Sequence, residues 1–323
     1  MRCDDILVVG GAGFVGRHLV AALAARGARV TVPTRRRDRA KYLLPLPTVD
    51  VVETDVGRPG ELERLAAGRD AGVNLVGVLH SRRGRRNERG PNDYGPDFAR
   101  AHVELAQAVV NTCRTAGVKR LLHMSALGAD PQGPSEYLRS KGIGERAALA
   151  AEDLAVTVFQ PSVIFGPEDS FLNLFSQLAR FLPVLALACP EARFQPVYVV
   201  DVAQAFVAAL DNHDAFGRRY SLCGPRQYTL RELVQTVCRL TGRRRLIVGL
   251  GDRLSYAQAR LMELLPVKLL TRDNYYSMQV PSVCGGDFPF GIEPSALEAV
   301  APGWLAPGGL HARYPHLRRH AGR

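Results

Sequence analysis

The sequence predicts an α/β fold, a doubly wound parallel sheet with a smaller C-terminal substrate lobe. Three observations predict it. Short apolar runs alternate with helix-period segments through the first half of the chain. The first apolar run leads directly into glycines at 10, 13 and 16. The 323 residues, 46% of them hydrophobic, suffice for one large domain or two unequal lobes.

Taken in order, residues 6–9 are an apolar run short enough for a strand covered on both faces. Helical periodicity follows through Phe14, Leu19, Val20 and Leu23 and stops near Gly27. Residues 29–32 read as a second strand, 49–56 as a third, 71–80 as a fourth, 118–128 as a fifth and 155–167 as a sixth. Helices are expected over 97–116 and around Tyr137. A core through about residue 165 (1–165) is therefore expected, with 166–323 forming a smaller lobe interleaved with it. The most apolar stretch, 171–189, is interrupted by Asn173, Gln177, Arg180 and Pro183. It reads as a helix, a break and a short buried segment rather than a membrane span.

The glycine triplet has a specific physical reading. Gly10 permits a tight turn, Gly13 lets backbone approach a pyrophosphate, and Gly16 lets the helix pack on the strand. The helix N-terminus, at Phe14 and Val15, then offers N–H donors and the positive dipole end to phosphates. This is a Rossmann arrangement for a dinucleotide. After the second strand come Thr34, Arg35, Arg36 and Arg37, where an NAD-binding chain usually offers an acidic side chain to the ribose. Forked arginines match a 2′-phosphate, so NADP(H) is preferred, with NAD(H) as the alternative.

Net charge is +11, carried mostly by arginine, which favours anionic partners. The basic stretches 81–96 and 312–323 match no nucleic-acid motif and lack interleaved stacking aromatics, so no nucleic-acid partner is expected. The first stretch reads as a solvated loop or an anion-binding lid. The six cysteines are scattered, with no Cys-x-x-Cys and no metal-ligand spacing. Neither a disulfide framework nor a metal site is expected, and a cytoplasmic setting fits. His80, His102 and His123 read as packing or surface residues. Residues 252–269 carry Leu254, Ala257, Leu261, Leu264 and Leu265 at helical spacing. They read as a helix over the second lobe's core, an apolar flap for a ligand such as a quinone, or a foot on a membrane.

Gly10-x-x-Gly13-x-x-Gly16, Asp55–Val56, Ser125 after a strand, Tyr137-x-x-x-Lys141 and "QPSVIFGP" occur in that order. This set resembles the extended or atypical short-chain dehydrogenase/reductase superfamily. "YLRSKGIGE", "PVYVVDVA", "LTRDNYYSM" and "FGIEPSALEAVAPGWL" further resemble the nucleotide-binding accessory subunits of respiratory complex I and their bacterial relatives. The resemblance implies an NADPH-binding role in complex assembly or stability, or in quinone-linked metabolism, with a location peripheral to the inner membrane. It also implies cofactor contacts at Asp55 and Val56 (adenine), at Leu75, Val76 and Gly77, and at Pro161, Ser162 and Val163 (carboxamide).

In that superfamily the tyrosine is a general acid/base. Positions i and i+4 share a helix face, so Lys141 can stand beside Tyr137, favour its tyrosinate and hold the ribose. Ser125 is the candidate for the supporting hydroxyl, but Ala126 and Leu127 occupy the positions after it. Two readings stay open: an NAD(P)-dependent oxidoreductase using Tyr137, Lys141 and Ser125, or a cofactor clamp without turnover. A nucleotide-sugar epimerase or dehydratase is a third.

Overall fold

The computed structural model describes residues 2–82, 93–265 and 269–307. In chain order the elements are β1 (Asp5–Val9), α1 (Phe14–Ala25), β2 (Arg29–Thr34), β3 (Val49–Glu53), α2 (Glu61–Ala66), β4 (Ala71–Asn74), α3 (Pro96–Phe98), α4 (Leu105–Thr115), β5 (Arg120–Met124), α5 (Glu136–Leu149) and β6 (Ala155–Pro161). There follow β7 (Ile164–Phe165), α6 (Leu172–Phe181), β8 (Val184–Leu187), β9 (Arg193–Phe194), β10 (Val197–Tyr198), α7 (Val199–Leu210), β11 (Arg218–Leu222), β12 (Tyr228–Thr229) and α8 (Leu230–Leu240). The chain continues through β13 (Leu246–Gly249), α9 (Asp252–Met262), α10 (Arg272–Ser277), α11 (Leu297–Val300) and α12 (Pro302–Leu305).

Two units are formed. The first takes the chain up to Pro161, together with Val199–Leu222 and Asp287–Ile292. The second takes Ser162–Tyr198, Cys223–Gly286 and the chain from Glu293 onward.

The first unit is built on a seven-stranded sheet in the order β11-β6-β5-β4-β1-β2-β3, all pairs parallel. Leu7 and Val9 of β1 pack with Leu62, Val109, Val110 and Leu121 on one face. Helices α1 and α7 pack against each other. Beneath them Arg120 is wholly buried and donates to the carbonyls of Ala155, Ala209 and Leu210 and to Thr157 Oγ1. One guanidinium thus joins β5 and β6 to the end of α7.

The second unit is made of two-stranded pieces: β7 with β10 and β8 with β13, both parallel, and β9 with β12, antiparallel. Its core gathers Phe165, Leu172, Leu187, Leu233, Val237 and Leu297.

Several expected elements change in extent. The fourth strand ends at Asn74, not at 80, because Asn74 Oδ1 accepts the Val76 N–H and turns the chain out of the ladder. The fifth ends at Met124. The expected sixth strand divides at Pro161, and its last part becomes β7 of the second unit. The helix over 97–116 contains a π-helical stretch, Ala99–Glu104. Helix α9 stops at Met262, and residues 266–268 lie outside the described residues, as do 83–92 and the basic tail 312–323.

The cysteine expectation is corrected at one pair. Cys223 and Cys284 form a disulfide with their Cα atoms 6.0 Å apart, closing a loop over a separation of 61 residues. Linear spacing cannot reveal which distant cysteines meet, because the pairing is a matter of three-dimensional geometry. The remaining four thiols are free. Among the described residues no helix is long and apolar enough to cross a membrane, and no cluster of His, Cys, Asp or Glu could hold a metal ion.

Candidate functional site

Strand order reverses at β1, which has β2 on one side and β4 on the other. In open α/β sheets the crevice at the carboxyl ends of such strands is where ligands bind. The glycine turn fills this position. Gly10 adopts φ +88°, and a Cβ there would come within 3.1 Å of the Leu75–Val76 backbone. A Cβ on Gly16 would come 2.4 Å from the Gly10 carbonyl oxygen, so glycine is required. A fourth glycine, Gly11, is needed because a Cβ would meet Val32 at 2.9 Å. Gly13 caps α1 with no side-chain hydrogen bond, and the first turn holds no acidic residue. The N–H groups at Phe14, Val15 and Gly16 therefore stay available to an anion.

At the other end of β2, Thr34 Oγ1 accepts from Arg36 N at 3.3 Å and donates to Arg36 O at 3.2 Å. Arg35 is exposed. The Arg36 guanidinium makes a two-pronged pair with Asp38, at 3.1 and 2.7 Å. Asp55 Oδ1 accepts from Gly57 N at 3.0 Å, so its carboxylate closes a turn, and Val56 packs onto the core. Tyr42, which sequence reasoning missed, donates to Ala12 O at 2.7 Å and lies 4.2 Å beneath the Arg17 guanidinium. Nothing in the linear pattern marks it, because the contact joins the glycine turn to a segment 30 residues away.

The Tyr137–Lys141 end is built by α5. Ser135 caps this helix by accepting from Leu138 N at 3.1 Å, and Glu136 accepts from Gly95 N at 2.8 Å. Gly144 lets the helix approach closely, since a Cβ there would lie 2.1 Å from His102 O. Lys141 is buried, with Nζ donating to Met124 O at 3.1 Å and Val76 O at 3.4 Å. Gly77 leaves room for it, as a Cβ would stand 3.1 Å from Nζ. Burial lowers the Lys141 pKa to about 8, opposed by the Glu145 carboxylate one turn along.

Tyr137 is half-buried, with its ring edge-on to His102 at 5.5 Å and to Phe98 at 6.1 Å. His102 Nε2 accepts from Val78 N at 3.0 Å, so its proton is on Nδ1, which meets Ser140 Oγ at 2.9 Å. Ser140 in turn donates to Tyr137 O. His123 Nδ1 lies 3.3 Å from Asn74 Nδ2. Burial first, and the nearby Lys141 charge second, push His102 down to about 2 and His123 to about 3. Of these three buried bases, Lys141 alone is charged at neutral pH. Both histidines are packing residues, and the His102 ring also ties the segment after β4 to α5.

The remaining candidates fall as follows. Ser125 is buried, its N–H donates to Phe159 O, and its Oγ has no hydrogen-bond partner among the described residues. Ala126 is buried beside it, and Leu127 N donates to Pro161 O at 3.0 Å. Leu75 N donates to Val9 O at 2.9 Å. Ser162 and Val163 belong to the second unit, where Ser162 Oγ meets the backbone and hydroxyl oxygens of Ser282 and Val163 O accepts from Val197 N. The structure thus brings the glycines, Leu75, Val76, Gly77, Lys141 and Pro161 into one unit and leaves Ser162 and Val163 in the other.

A glycine cradle, an uncapped helix N-terminus and an orphaned buried hydroxyl fit a dinucleotide, and together with the Tyr-x-x-x-Lys helix they mark a protein of the nicotinamide-dinucleotide-binding class. Residues 6–223 match the NAD dependent epimerase/dehydratase family, and the chain belongs to that family. It is 29% identical over 302 residues to the mitochondrial NADH dehydrogenase [ubiquinone] 1 alpha subcomplex subunit 9 of Rattus norvegicus, covering 90% of this chain and 77% of that one. It is 37% identical over 204 residues to the ceramide reductase of Caulobacter vibrioides, covering 63% of this chain and 60% of that one. The fold is shared with UDP-glucuronic acid 4-epimerase of Bacillus cereus, solved with UDP-glucuronic acid and NAD, at a TM-score of 0.65 and 18% identity over 76% of this chain and 86% of that one.

Proposed function

We propose that this chain holds a nicotinamide dinucleotide, NADPH in preference to NADH, and serves a respiratory complex in assembly or stability, or quinone-linked metabolism. The observation that carries this reading is the likeness to the complex I alpha subcomplex subunit over 90% of the chain, more than the stretch 6–223 that matches the family. Two features of the site agree with holding rather than turnover. Lys141 Nζ is already fastened to two carbonyls, and Ala126 and Leu127 follow Ser125 where a second hydroxyl would serve catalysis. Arg35 and Arg36 supply the preference for a 2′-phosphate, with Arg36 exchanging the Asp38 carboxylate for phosphate. Gly10, Gly13, Gly16, Phe14 and Val15 hold the pyrophosphate, and Asp55 and Val56 border the adenine. Leu75, Val76, Gly77 and Lys141 border the nicotinamide ribose, and Pro161 supplies a backbone group to the carboxamide.

A second reading, reduction of a carbonyl, is favoured by the lowered Lys141 pKa one helical turn from Tyr137 and by the likeness to ceramide reductase. When bound, the dinucleotide supplies the hydride. Tyr137 then gives the proton, Lys141 steadies the charge left on its oxygen, and Ser125 Oγ donates to the substrate oxygen. An epimerase or dehydratase of nucleotide sugars would use the same pair and is recognised by its ligand.

Native mass spectrometry of the purified chain, followed by absorbance of bound NADPH in the presence of quinones, ceramide-like ketones and sugar nucleotides, tests these readings. Retained NADPH that is never oxidised, with binding unchanged in Tyr137→Phe, is the expected result. Oxidation that Tyr137→Phe slows by about 100-fold or more would replace the holding role with the reductase. Thermal protection by a sugar nucleotide would favour the epimerase, and failure to bind either dinucleotide would sink all three.

A further inference from the structure

We propose that the second unit carries a docking face for an anionic phospholipid bilayer, formed by the outer face of the β8–β13 sheet, the end of α6 and one stripe of α9. This inference rests on the surface of the second unit alone and is independent of the cofactor reading. In the β8–β13 pair, Leu246 lies beside Val184 and Val248 beside Ala186. These four side chains point outward and are all exposed, while Leu185, Leu187 and Ile247 face the core. An exposed strand face of this kind ordinarily alternates to polar residues; here it is apolar throughout.

Neighbouring elements extend the same surface. Phe181 and Leu182 at the end of α6 are 76% and 44% exposed. On α9, Leu254 and Leu261 are 61% and 68% exposed, and Leu264 just beyond it is 81% exposed. The parts are fastened together: Arg245 Nε donates to Ala179 O, Leu246 N to Pro183 O, and Gln258 Nε2 to Ala186 O. Gln258 of α9 thus reaches β8 from the helix face that also carries Leu254 and Leu261. A contiguous exposed apolar surface is the mark of an interaction site.

Charge identifies the occupant. Arg180, Arg243, Arg244, Arg253 and Arg260 stand on these same segments with no ion pair among the described residues. The two acids of the segment 243–265 both have partners. Asp252 accepts from Tyr275 OH, and Glu263 pairs with Arg272 at 2.7 Å. Arg180 lies over the Phe181 ring at 5.5 Å, an apolar body with a cationic tip. Exposed leucines and a phenylalanine amid guanidiniums with no ion pair among the described residues, with both carboxylates engaged by neighbours, complement a headgroup layer bearing negative charge above acyl chains.

Flotation of the full chain with vesicles of phosphatidylcholine alone, and of phosphatidylcholine mixed with phosphatidylglycerol, tests the proposal. The chain is expected to float with the mixed vesicles and not with the neutral ones. Leu254→Glu combined with Leu261→Glu should abolish flotation, and Arg244→Ala and Arg253→Ala should each weaken it about fivefold. All four positions are exposed, and circular dichroism together with dinucleotide retention checks that the variants fold. Flotation that survives the leucine variants, or equal flotation with neutral vesicles, would overturn the proposal. So would a concentration-dependent dimer in sedimentation that the leucine variants dissolve, since the face would then belong to a second copy.

Discussion

Every buried cationic or imidazole side chain among the described residues lies in the first unit: His102, Arg120, His123 and Lys141. The second unit buries one carboxylate among the described residues, Asp169, and instead leaves large apolar side chains on its surface. Of the exposed large hydrophobics, all but Tyr42, Leu44 and Leu79 are on the second unit. The two units thus spend their polarity in opposite ways. The first takes hydrogen-bonding side chains inside: His102, His123 and Lys141 near the carboxyl ends of its strands, and Arg120 where β5 and β6 begin. The second keeps a plain apolar core and turns its arginines outward. Buried cations suit a site that must not shift around a cofactor. A surface of leucine and arginine suits a face that meets something large.

The most damaging single change should be at Arg120. Its guanidinium is the donor to four carbonyls and to Thr157 Oγ1, and its carbon 4.6 Å from the Phe216 ring adds a cation–π contact. Arg120→Met keeps apolar bulk and removes every donor. Orphaning several buried acceptors at once should cost about 3–5 kcal/mol of unfolding free energy in urea denaturation. Trp304, the sole tryptophan, belongs to the second unit, so its fluorescence reports that unit separately. Loss of circular dichroism at lower urea than the change in Trp304 fluorescence is expected. Coincident transitions shifted together would merge the two units energetically and remove the contrast.

Acid should divide the units as well. His102 and His123 have folded pKa values of about 2 and about 3, far below the ordinary histidine value in the unfolded chain. Between about pH 3 and 6.5 the unfolded chain binds more protons, so stability falls as pH falls through that window. At pH 4.5 the loss is on the order of 2–3 kcal/mol for each histidine. Asp169 acts in the other direction. Burial raises its pKa against the four backbone N–H groups it accepts, so it favours the folded state as pH falls. The first unit should therefore loosen in acid before the second. His102→Gln should reduce the slope of stability against pH by about one proton, about 1.4 kcal/mol per pH unit. An unchanged slope would show that His102 is charged, or exposed, in the native state.

What could be read from the linear sequence was what is local in it. The glycine turn depends on spacings of three residues, and the Tyr137–Lys141 pair depends on one helical turn, so both were legible together with the alternation that makes the sheet. Gly77 was legible as a strand-end residue, but its reason, the Lys141 ammonium crossing where a Cβ would stand, joins positions far apart in the chain. The same holds for His102, which reads as a packing residue and whose ties to Val78 N and Ser140 Oγ show only in the structure. Asp55 was legible from its place after the third strand, whereas the turn its carboxylate closes with Gly57 shows only in the structure. The Cys223–Cys284 pair and Arg120 likewise depend on long-range closure that no spacing rule encodes.

The smallest effect is the most discriminating for the site. Ser125 Oγ is among the few buried polar atoms of the first unit that go unsatisfied: it is buried and has no partner among the described residues. An unsatisfied hydroxyl carries a desolvation penalty, so Ser125→Ala should leave the free protein as stable as before or up to about 1 kcal/mol more stable. If the hydroxyl is kept for a ligand oxygen, the same change should weaken dinucleotide retention or slow turnover about fivefold to tenfold, the worth of one hydrogen bond. Stability and function then move in opposite directions, which a purely structural serine would not do. A stability loss with unchanged binding would instead place Ser125 among the packing residues, and the crevice would lose a buried donor kept for a ligand.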